Sequence, residues 1–166
     1  MTRRHWLSWL SSLGLGLAAA RTAGAAAPEA KPGVRIEPLV LTDAQWKQRL
    51  SPAQYDVLRK EGTERSGTSA LNNEKRKGVY QCAGCELALF TSAMKYDSGT
   101  GWPSFFTTLP GVFKTSKDFK LILPRTEYNC ARCGGHHGHV FDDGPKPSGL
   151  RYCNNGVALK FVAAAA

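Results

Sequence analysis

Two Cys-x-x-Cys motifs constrain the fold of this chain more than any other feature of its sequence. Cys82 and Cys85 form the first motif, Cys130 and Cys133 form the second, and 44 residues separate Cys85 from Cys130. Two such motifs can present four thiolates tetrahedrally to one Zn²⁺ ion, each on a tight turn. The separation is longer than the roughly 15–20 residues of a compact zinc ribbon. We therefore predict one structural zinc ion that joins two distant hairpins and leaves no coordination position open for catalysis.

Two other interpretations of these four cysteines stay open at the level of sequence. Either motif could be a thioredoxin-like redox pair, although such a pair normally begins a helix in a βαβ unit and the flanking sequence has no such pattern. Two disulfides are chemically reasonable in an exported protein. The chain has five cysteines, an odd number, so one of them lacks an intramolecular partner, and Cys153 is the one outside the motifs.

The first 27 residues have the three-part layout of an export signal. Arg3 and Arg4 precede a largely apolar stretch over residues 6–20, and the small residues 23–25 follow it. The apolar stretch is shorter than the ~20 residues that a membrane-spanning helix needs. We therefore expect cleavage of residues 1–27 and no stable membrane anchor afterwards, with an uncleaved anchor as the alternative. The paired arginines are typical of the twin-arginine route, the general secretory route stays open, and both predict a protein of the bacterial periplasm.

Net charge limits the classes of partner. The formal net charge is +9, and loss of residues 1–27 would lower it to +6, because that segment has three arginines and no acidic residue. Such an excess favours approach to acidic surfaces. The basic residues are spread along the chain without a long Lys/Arg run, so we expect no nucleic-acid partner.

The mature chain divides into an extended segment, one domain and a tail. Residues 28–40 contain three prolines and are expected to be extended, residues 41–162 form the domain, and residues 163–166 are the tail. A chain of 166 residues has room for one domain with a hydrophobic core.

Helix signals and then strand signals follow one another along this domain. Capping boxes at Thr42 and Ser51 predict two short helices, of which the second would end at Gly62. Further on, short strand-like segments alternate with glycines and prolines, the clearest being residues 79–82, 119–123 and 157–162. No long helical period is present. We predict a mainly β (α+β) fold of antiparallel sheets with short helices at the N-terminal side.

Cys153 lies in a further strand-like segment, residues 150–157. Alternation along a strand would place Arg151, Cys153 and Asn155 on one face. The guanidinium would then favour the thiolate electrostatically, and the carboxamide could donate a hydrogen bond to it. A lone cysteine in a strand is more often an inert core residue, so neighbouring chemistry must decide between the two interpretations.

Two other clusters supply such chemistry. His136, His137 and His139 come directly after the second Cys-x-x-Cys motif, and imidazoles are natural proton donors near neutral pH. We expect His137 to cap a turn or join the metal site instead. Trp102 lies in a loop with flanking glycines, which could present its indole face to a methyl group on a polarised sulfur, while Phe105 is a candidate core residue.

Five motifs occur in a defined order along the chain. They are Gly-Thr-Glu-Arg at 62–65, the paired Cys-x-x-Cys motifs, Asp-Ser-Gly-Thr-Gly-Trp-Pro-Ser-Phe at 97–105, residues 136–141, and Gly-Leu-Arg-Tyr-Cys at 149–153. In this order, and over residues 37–162, the chain resembles the B-type methionine-R-sulfoxide reductases. The resemblance implies coiled antiparallel sheets, a zinc site remote from the catalytic centre, and repair of oxidised proteins under oxidative stress.

The resemblance also implies roles for the catalytic candidates. Cys153 would be the nucleophile and would become a sulfenic acid, the first reversible stage of thiol oxidation. His136 and His139 would bind and protonate the sulfoxide oxygen. Arg151 and Asn155 would support the thiolate.

For substrate binding the resemblance implies Trp102 and Phe141, with the indole packed on the substrate methyl group, and it places Asp143 behind the catalytic residues. The chain departs from many relatives at Thr100, where they carry a second cysteine that resolves the sulfenic acid. We therefore expect an external thiol, for example from a thioredoxin-like partner, to reduce Cys153.

Two alternative functions stay open at this point. A non-catalytic zinc module that binds nucleic acid or protein would account for the four cysteines and the positive charge. A thiol oxidoreductase that works through its Cys-x-x-Cys motifs would account for the cysteines in a different way.

Overall fold

A computed structural model of the protein describes residues 35–120 and 123–165. The expected export signal, residues 1–27, and the expected extended segment up to residue 34 lie outside the described residues. Residues 35–40 have no helix or strand. Within the described ranges, no helix has the length and apolar character needed to cross a membrane.

Two short helices begin the domain, as the capping boxes predict. Helix α1 is Asp43–Arg49 and helix α2 is Pro52–Lys60. The side chains of Thr42 and Ser51 each accept a hydrogen bond from the backbone N–H three residues later, and the glutamine there bonds back to the cap. Helix α2 ends before the expected Gly62, because Glu61 already has left-handed backbone angles, with φ of 57°.

Nine strands in the described residues form two antiparallel sheets and confirm the predicted fold class. The smaller sheet has the order β2-β1-β9 and the larger has the order β3-β4-β8-β7-β6-β5. The strands are β1 Gly78–Cys82, β2 Ala88–Thr91, β3 Lys95–Tyr96, β4 Ser104–Phe105, β5 Phe113–Asp118, β6 Arg125–Cys130, β7 His136–Phe141, β8 Arg151–Asn154 and β9 Leu159–Ala163. Single-turn 3₁₀ helices lie at Ala70–Asn73, Ser92–Met94 and Gly156–Ala158.

The predicted strand over residues 119–123 is wrong. Strand β5 ends at Asp118, whose carboxylate accepts a hydrogen bond from the Lys120 N–H at 2.9 Å and turns the chain out of the sheet. Residues 121 and 122 lie outside the described residues, and on either side of them Phe119 and Leu123 are exposed, by 72% and 77%.

The two strands predicted near the C-terminus are each shorter than expected. The segment 150–157 contributes only Arg151–Asn154 to the sheet, and the segment 157–162 begins with the end of a 3₁₀ helix before β9 starts at Leu159. The predicted strand at residues 79–82 is confirmed as β1.

Aromatic side chains fill the core. Phe90 and Phe105 are fully buried and stack with their ring centroids 3.9 Å apart. Tyr80 meets the edge of Phe105, and Tyr128 meets Phe113 at 4.7 Å. Phe105 is therefore a core residue, and its neighbour in β4, Ser104, is positioned by the same packing directly beside Cys153 of β8.

The helices cover the two Cys-x-x-Cys turns. Arg49 of α1 donates to the carbonyl of Gly84 at 2.6 Å, and Arg59 of α2 donates to the carbonyl of Cys133 at 3.0 Å. The Arg59 guanidinium also lies 5.0 Å from the ring of buried Trp46. Helix α1 thus contacts the first Cys-x-x-Cys turn and helix α2 contacts the second, so the pair of helices holds both turns in place.

Candidate active site and metal centre

The four motif cysteines converge in the core. Their sulfur atoms all lie within 4.8 Å of one another, with 3.7 Å between Cys82 and Cys133 and 3.5 Å between Cys85 and Cys130. Tetrahedral coordination with bonds of about 2.3 Å requires sulfur–sulfur distances of about 3.8 Å. All four are free and buried, so the geometry fits a shared metal ion rather than disulfides.

Both turns have the same backbone geometry. The carbonyl of Cys82 accepts from the Glu86 N–H and the carbonyl of Cys130 accepts from the Gly134 N–H, each at 2.8 Å. Glu86 and Gly134 both have positive φ, 61° and 69°. The second turn thus places glycine where the geometry favours it, while the first accepts a non-glycine residue at that position.

His137 lies against the metal centre, which agrees with the role favoured for it from the sequence. Its ring is fully buried, and Nε2 lies 3.4 Å from the sulfur of Cys82. Nδ1 lies 3.5 Å from Nδ2 of Asn154, an amide group that can only donate, so the proton on Nε2 faces the sulfur. Burial lowers the pKa of His137 to about 4, and the ring is therefore neutral at neutral pH.

A bulge in β7 separates His137 from the other two histidines. Tyr128 pairs with Gly138 and Asn129 pairs with His136, which leaves His137 as an extra residue. In a regular strand His136 and His139 would point to opposite faces, since they are three residues apart. The bulge brings them to the same side, where their ring centroids are 5.5 Å apart.

Cys153 lies in the middle of the larger sheet, beside these histidines. It pairs with His139 of β7 on one side and with Ser104 of β4 on the other. A cleft of about 120 Å³ opens over its half-buried side chain. The cleft is lined by Thr63, Trp102, Arg125, Gly138, His139, Phe141, Cys153, Asn154 and Asn155.

The close approach of β7 to Cys153 depends on Gly138. Its φ is 152°, and a Cβ atom built there would overlap the carbonyl oxygen of Cys153. Any other residue at this position would push the two strands apart. The absence of a side chain at Gly138 therefore sets the distance between the histidine strand and the thiol.

Glu64 ties the substrate side of the cleft to the segment after Cys153. Its carbonyl accepts from Nε1 of Trp102 at 3.0 Å, which fixes the indole ring. Its carboxylate accepts from the N–H groups of Gly156 at 2.5 Å and Val157 at 3.0 Å. Sequence reasoning gave this residue no role, although it lies in the Gly-Thr-Glu-Arg motif; the motif marked the position without showing what it contacts.

Asn155 does not donate to Cys153 as the sequence predicted. Its Oδ1 accepts from the N–H of Glu64 at 3.0 Å, and its Nδ2 donates to the carbonyl of His137 at 3.1 Å. Strand β8 has ended at Asn154, so the alternation that would place Asn155 beside the thiol does not extend that far. Asn155 instead ties the segment that follows α2 to the bulge in β7, and it lines the cleft from there.

Two carboxylates orient the two catalytic candidates on β7. His139 Nε2 lies 2.8 Å from Asp118, and His136 Nδ1 lies 2.5 Å from Glu127. Asp118 also accepts from Arg125 at 2.6 Å. The Lys120 N–H, His139 and Arg125 together hold the pKa of Asp118 well below its usual range.

Burial lowers the pKa of His139, and the hydrogen bond to Asp118 opposes that shift in part. Sequence reasoning missed Asp118 and Glu127 as partners of the histidines. The pairing of β6 with β7 places Glu127 in register with His139, and from there its side chain reaches His136. Nothing in the sequence alone indicates which strands pair.

Arg151 is anchored next to the thiol. It is buried, donates twice to Asp143, at 2.7 Å and 2.8 Å, and lies 4.3 Å from the ring centroid of Phe141. The bidentate pair locates Asp143 behind the catalytic candidates, and the cation–π contact fixes the Phe141 ring at the edge of the cleft.

The pKa of Cys153 is raised, against the expectation from sequence. Burial raises the pKa of the thiol, and this effect outweighs the opposing influence of the Arg151 charge and the Thr100 hydroxyl. The free protein therefore holds Cys153 mainly as a thiol at neutral pH. Thr100 contacts the same sulfur. It lies at the position where, by the resemblance described above, many relatives have a second cysteine.

Fold and site together define a thiol oxidoreductase whose four-cysteine centre is separate from its reactive cysteine. A sequence profile described as the SelR domain matches residues 50–163, which include all five motifs. With most of the chain matched, the protein belongs to the SelR-domain family, the peptide methionine sulfoxide reductases of the B type.

Three bacterial relatives have similar sequences over most of their lengths. A peptide methionine sulfoxide reductase MsrB of Leptospira interrogans is 51% identical over 121 residues, 72% of this chain and 92% of the relative. The protein of that name in Agrobacterium fabrum is 50% identical over 121 residues, 72% of this chain and 90% of the relative. That of Bradyrhizobium diazoefficiens is 47% identical over 136 residues, 80% of this chain and 96% of the relative.

We predict that alkylation of Cys153 by iodoacetamide in the free protein will still accelerate as the pH rises past about 9, because the pKa of the thiol is raised above its ordinary value of 9.0. Arg151→Met removes the charge that favours the thiolate, so the midpoint should move to a still higher pH. Below the midpoint, the thiolate fraction falls about tenfold for every pH unit by which the midpoint rises. Mass spectrometry of the Cys153 peptide measures the rate.

Arg76→Met is the matched control, since Arg76 is exposed and pairs with Glu74 away from the cleft. It should alkylate as the wild type does. A midpoint below 9 in the wild type, or one that Arg151→Met leaves in place, contradicts the electrostatic description of the site.

Proposed function

We propose that the protein reduces methionine-R-sulfoxide residues in oxidised proteins, with Cys153 as the nucleophile. One observation carries the proposal: a half-buried thiol shares its cleft with an anchored indole, Trp102, and with a carboxylate-bound imidazole, His139. The relatives named above are peptide methionine sulfoxide reductases, and the R form is the diastereomer that the resemblance implies. Each group meets one part of a methionine sulfoxide: the indole meets its methyl group, the imidazole its oxygen and the thiol its sulfur.

Binding is the first step in this proposal. The methyl group of the substrate packs on Trp102, whose ring is fixed by its bond to the Glu64 carbonyl. The sulfoxide oxygen faces His139, and His136, which packs on the His139 ring outside the lining of the cleft, supports that ring. Because Nε2 of His139 is bonded to Asp118, Nδ1 takes up the proton that the Cys153 thiol loses and donates it to the sulfoxide oxygen.

Transfer of the oxygen follows. Protonation makes the substrate sulfur electrophilic, and the Cys153 thiolate attacks it. The attack forms a bond between the two sulfurs, and the hydroxyl oxygen then passes to the Cys153 sulfur while the substrate's sulfur–oxygen bond and the new sulfur–sulfur bond break. Methionine leaves, and Cys153 becomes a sulfenic acid. The thiol is oxidised by two electrons and the sulfoxide is reduced by two, so no other oxidant or reductant enters this step. Arg151 stabilises the thiolate at the moment it forms.

An external thiol completes the cycle. The chain has five cysteines, and four of them belong to the metal cluster, so no further thiol remains to attack the sulfenic acid. A thiol of a thioredoxin-like partner attacks Cys153, releases water and forms a mixed disulfide, which a second thiol of that partner then reduces. The hydroxyl of Thr100, beside the sulfur, cannot replace a thiol in this reaction.

Zinc is the metal that we propose for the four-cysteine centre. Four thiolates at tetrahedral spacing suit Zn²⁺ and exclude hard cations such as Mg²⁺ and Ca²⁺. All ligand positions are filled by the protein, so the ion stabilises the fold and takes no part in the reaction.

We also propose that the protein acts in the bacterial periplasm after export and removal of residues 1–27. The layout of that segment in the sequence supports this location. Folding before export, as on the twin-arginine route, would let the four thiols bind metal before they meet an oxidising compartment.

The central test is a reductase assay with dithiothreitol on both diastereomers of blocked methionine sulfoxide. We expect turnover of the R form and a loss of at least about a thousandfold in Cys153→Ser, because a hydroxyl is a far weaker nucleophile than a thiolate. Activity retained in Cys153→Ser would refute the mechanism, and activity on the S form alone would refute the substrate.

The missing resolving thiol predicts a trappable intermediate. After one equivalent of sulfoxide without reductant, dimedone should label Cys153 of the wild type. Thr100→Cys places a thiol next to the same sulfur, so this variant should form an intramolecular disulfide and lose most of the label. Mass spectrometry distinguishes the two products, and an intramolecular disulfide in the wild type contradicts the proposal.

Metal analysis tests the zinc centre. Purified wild type should contain about one zinc per chain, and Cys130→Ser should lose most of it and unfold at lower denaturant concentration, since structural zinc contributes directly to folding. Cys153→Ser is the matched control, because it removes a thiol outside the cluster and should keep its zinc. Full zinc content in Cys130→Ser would count against the site.

A further inference from the structure

We propose that an apolar groove beside the catalytic cleft binds the stretch of polypeptide that carries the oxidised methionine. The proposal rests on the reductase function above and adds a determinant of substrate choice to it. The groove encloses about 990 Å³ at one end of the larger sheet, and its residues Val140 and Tyr152 lie on the face opposite to His139 and Cys153. Its apolar lining includes Leu123, Val140, Leu150 and Tyr152.

The size of the catalytic cleft makes a second binding surface necessary. At about 120 Å³ the cleft has room for one side chain. The residues before and after the methionine sulfoxide must therefore lie outside it. The groove is about eight times larger and is comparable with sites that hold whole ligands, so it can take several residues of a chain.

The groove begins where the cleft ends. Arg125 and Phe141, at one end of the larger sheet, line both, so a chain whose oxidised side chain enters the cleft reaches the groove by crossing this edge. The Phe141 ring is held by the Arg151 guanidinium 4.3 Å away, which gives the boundary a defined shape. Continuity with the catalytic cleft is the main reason for assigning the groove to the substrate.

The other side of the cleft has a different chemistry. Beyond Trp102 lies a smaller depression of about 190 Å³ lined by polar and charged side chains, among them Asn72, Lys95 and Asp97. Apolar side chains would lose hydration there without gaining apolar contacts. The two sides thus favour opposite kinds of flanking residue, and the groove side favours apolar ones.

The floor of the groove is rigid. Val140 pairs with Thr126 on one side and with Tyr152 on the other, in a row across three strands. Tyr152 packs on Tyr128 at 5.4 Å and on Phe90 at 6.4 Å, so it is anchored to the core. A preformed surface binds a flexible chain at a lower entropic cost than one that must form on binding.

The rim of the groove exposes apolar surface. Leu123 is 77% exposed at the edge of the groove, so its side chain is open to contact with a bound chain. A methionine is usually an interior residue, and its oxidation introduces a polar group that disrupts packing. Segments around an oxidised methionine are therefore rich in apolar residues that have become exposed, and their chemistry matches that of the groove.

Two synthetic peptides test the groove. Each contains one methionine sulfoxide, flanked by leucines in one peptide and by serines in the other. We expect a wild-type kcat/KM about tenfold higher for the leucine peptide, mainly through KM, which corresponds to the partial burial of one or two apolar side chains. Leu123→Glu and Thr115→Glu, two exposed positions of the groove, should each remove most of this preference.

Val40→Glu is the matched control, since Val40 is a similarly exposed apolar residue that does not line the groove. It should keep the preference. Blocked methionine sulfoxide is too short to reach the groove, so all three variants should reduce it within about twofold of the wild type. Failure of the wild type on that small substrate would refute the reductase function itself.

Other outcomes would overturn the groove alone. Equal wild-type kcat/KM for the two peptides would exclude a contribution from flanking residues. If the groove variants instead raised only the KM for a thioredoxin, the groove would belong to the reductant. If they converted a dimer into a monomer in sedimentation, with peptide preference unchanged, a second copy of this chain would be its occupant.

Discussion

The convergence of four sulfur atoms within 4.8 Å is the constraint on which the rest of the structure depends. It joins the turn after β1 to the turn after β6, two points far apart in the chain. Both helices then attach to those turns through arginines that bond their carbonyls, Arg49 to one and Arg59 to the other. Burial of four thiolates without a metal would be costly, so the zinc proposed above would couple metal binding to the folding of this region.

Strand β7 carries that constraint to the catalytic cleft. His137 contacts Cys82 of the metal centre, while His139, two residues later, pairs with Cys153. The carbonyl of His137 accepts two hydrogen bonds from Asn155, from its backbone N–H at 2.9 Å and its side chain at 3.1 Å. The four-cysteine cluster does not line the cleft, yet through His137 it helps to locate the strand that carries His139.

Local signals in the sequence were enough for the outline of the fold and for the four-cysteine cluster. The capping boxes at Thr42 and Ser51, the four-cysteine cluster and the mainly antiparallel architecture could all be predicted, because each depends on residues close together or on a ligand spacing. The strand at 119–123 could not, because the Asp118 carboxylate turns the chain outward there. The roles of Glu64 and Asp118 depend on contacts between distant segments, which no local pattern encodes.

The bulge at His137 limits how the segment between Cys133 and His139 can vary in length. This segment runs from Cys133 of the four-cysteine cluster to His139, which pairs with Cys153, and the bulge sets the face to which each of its histidines points. Deletion of one residue would remove the bulge and rotate His136 or His139 to the opposite face of the sheet, and insertion of one would do the same. The number of residues between Cys133 and His139 is therefore itself a structural requirement, because it decides which side chains of β7 face Cys153.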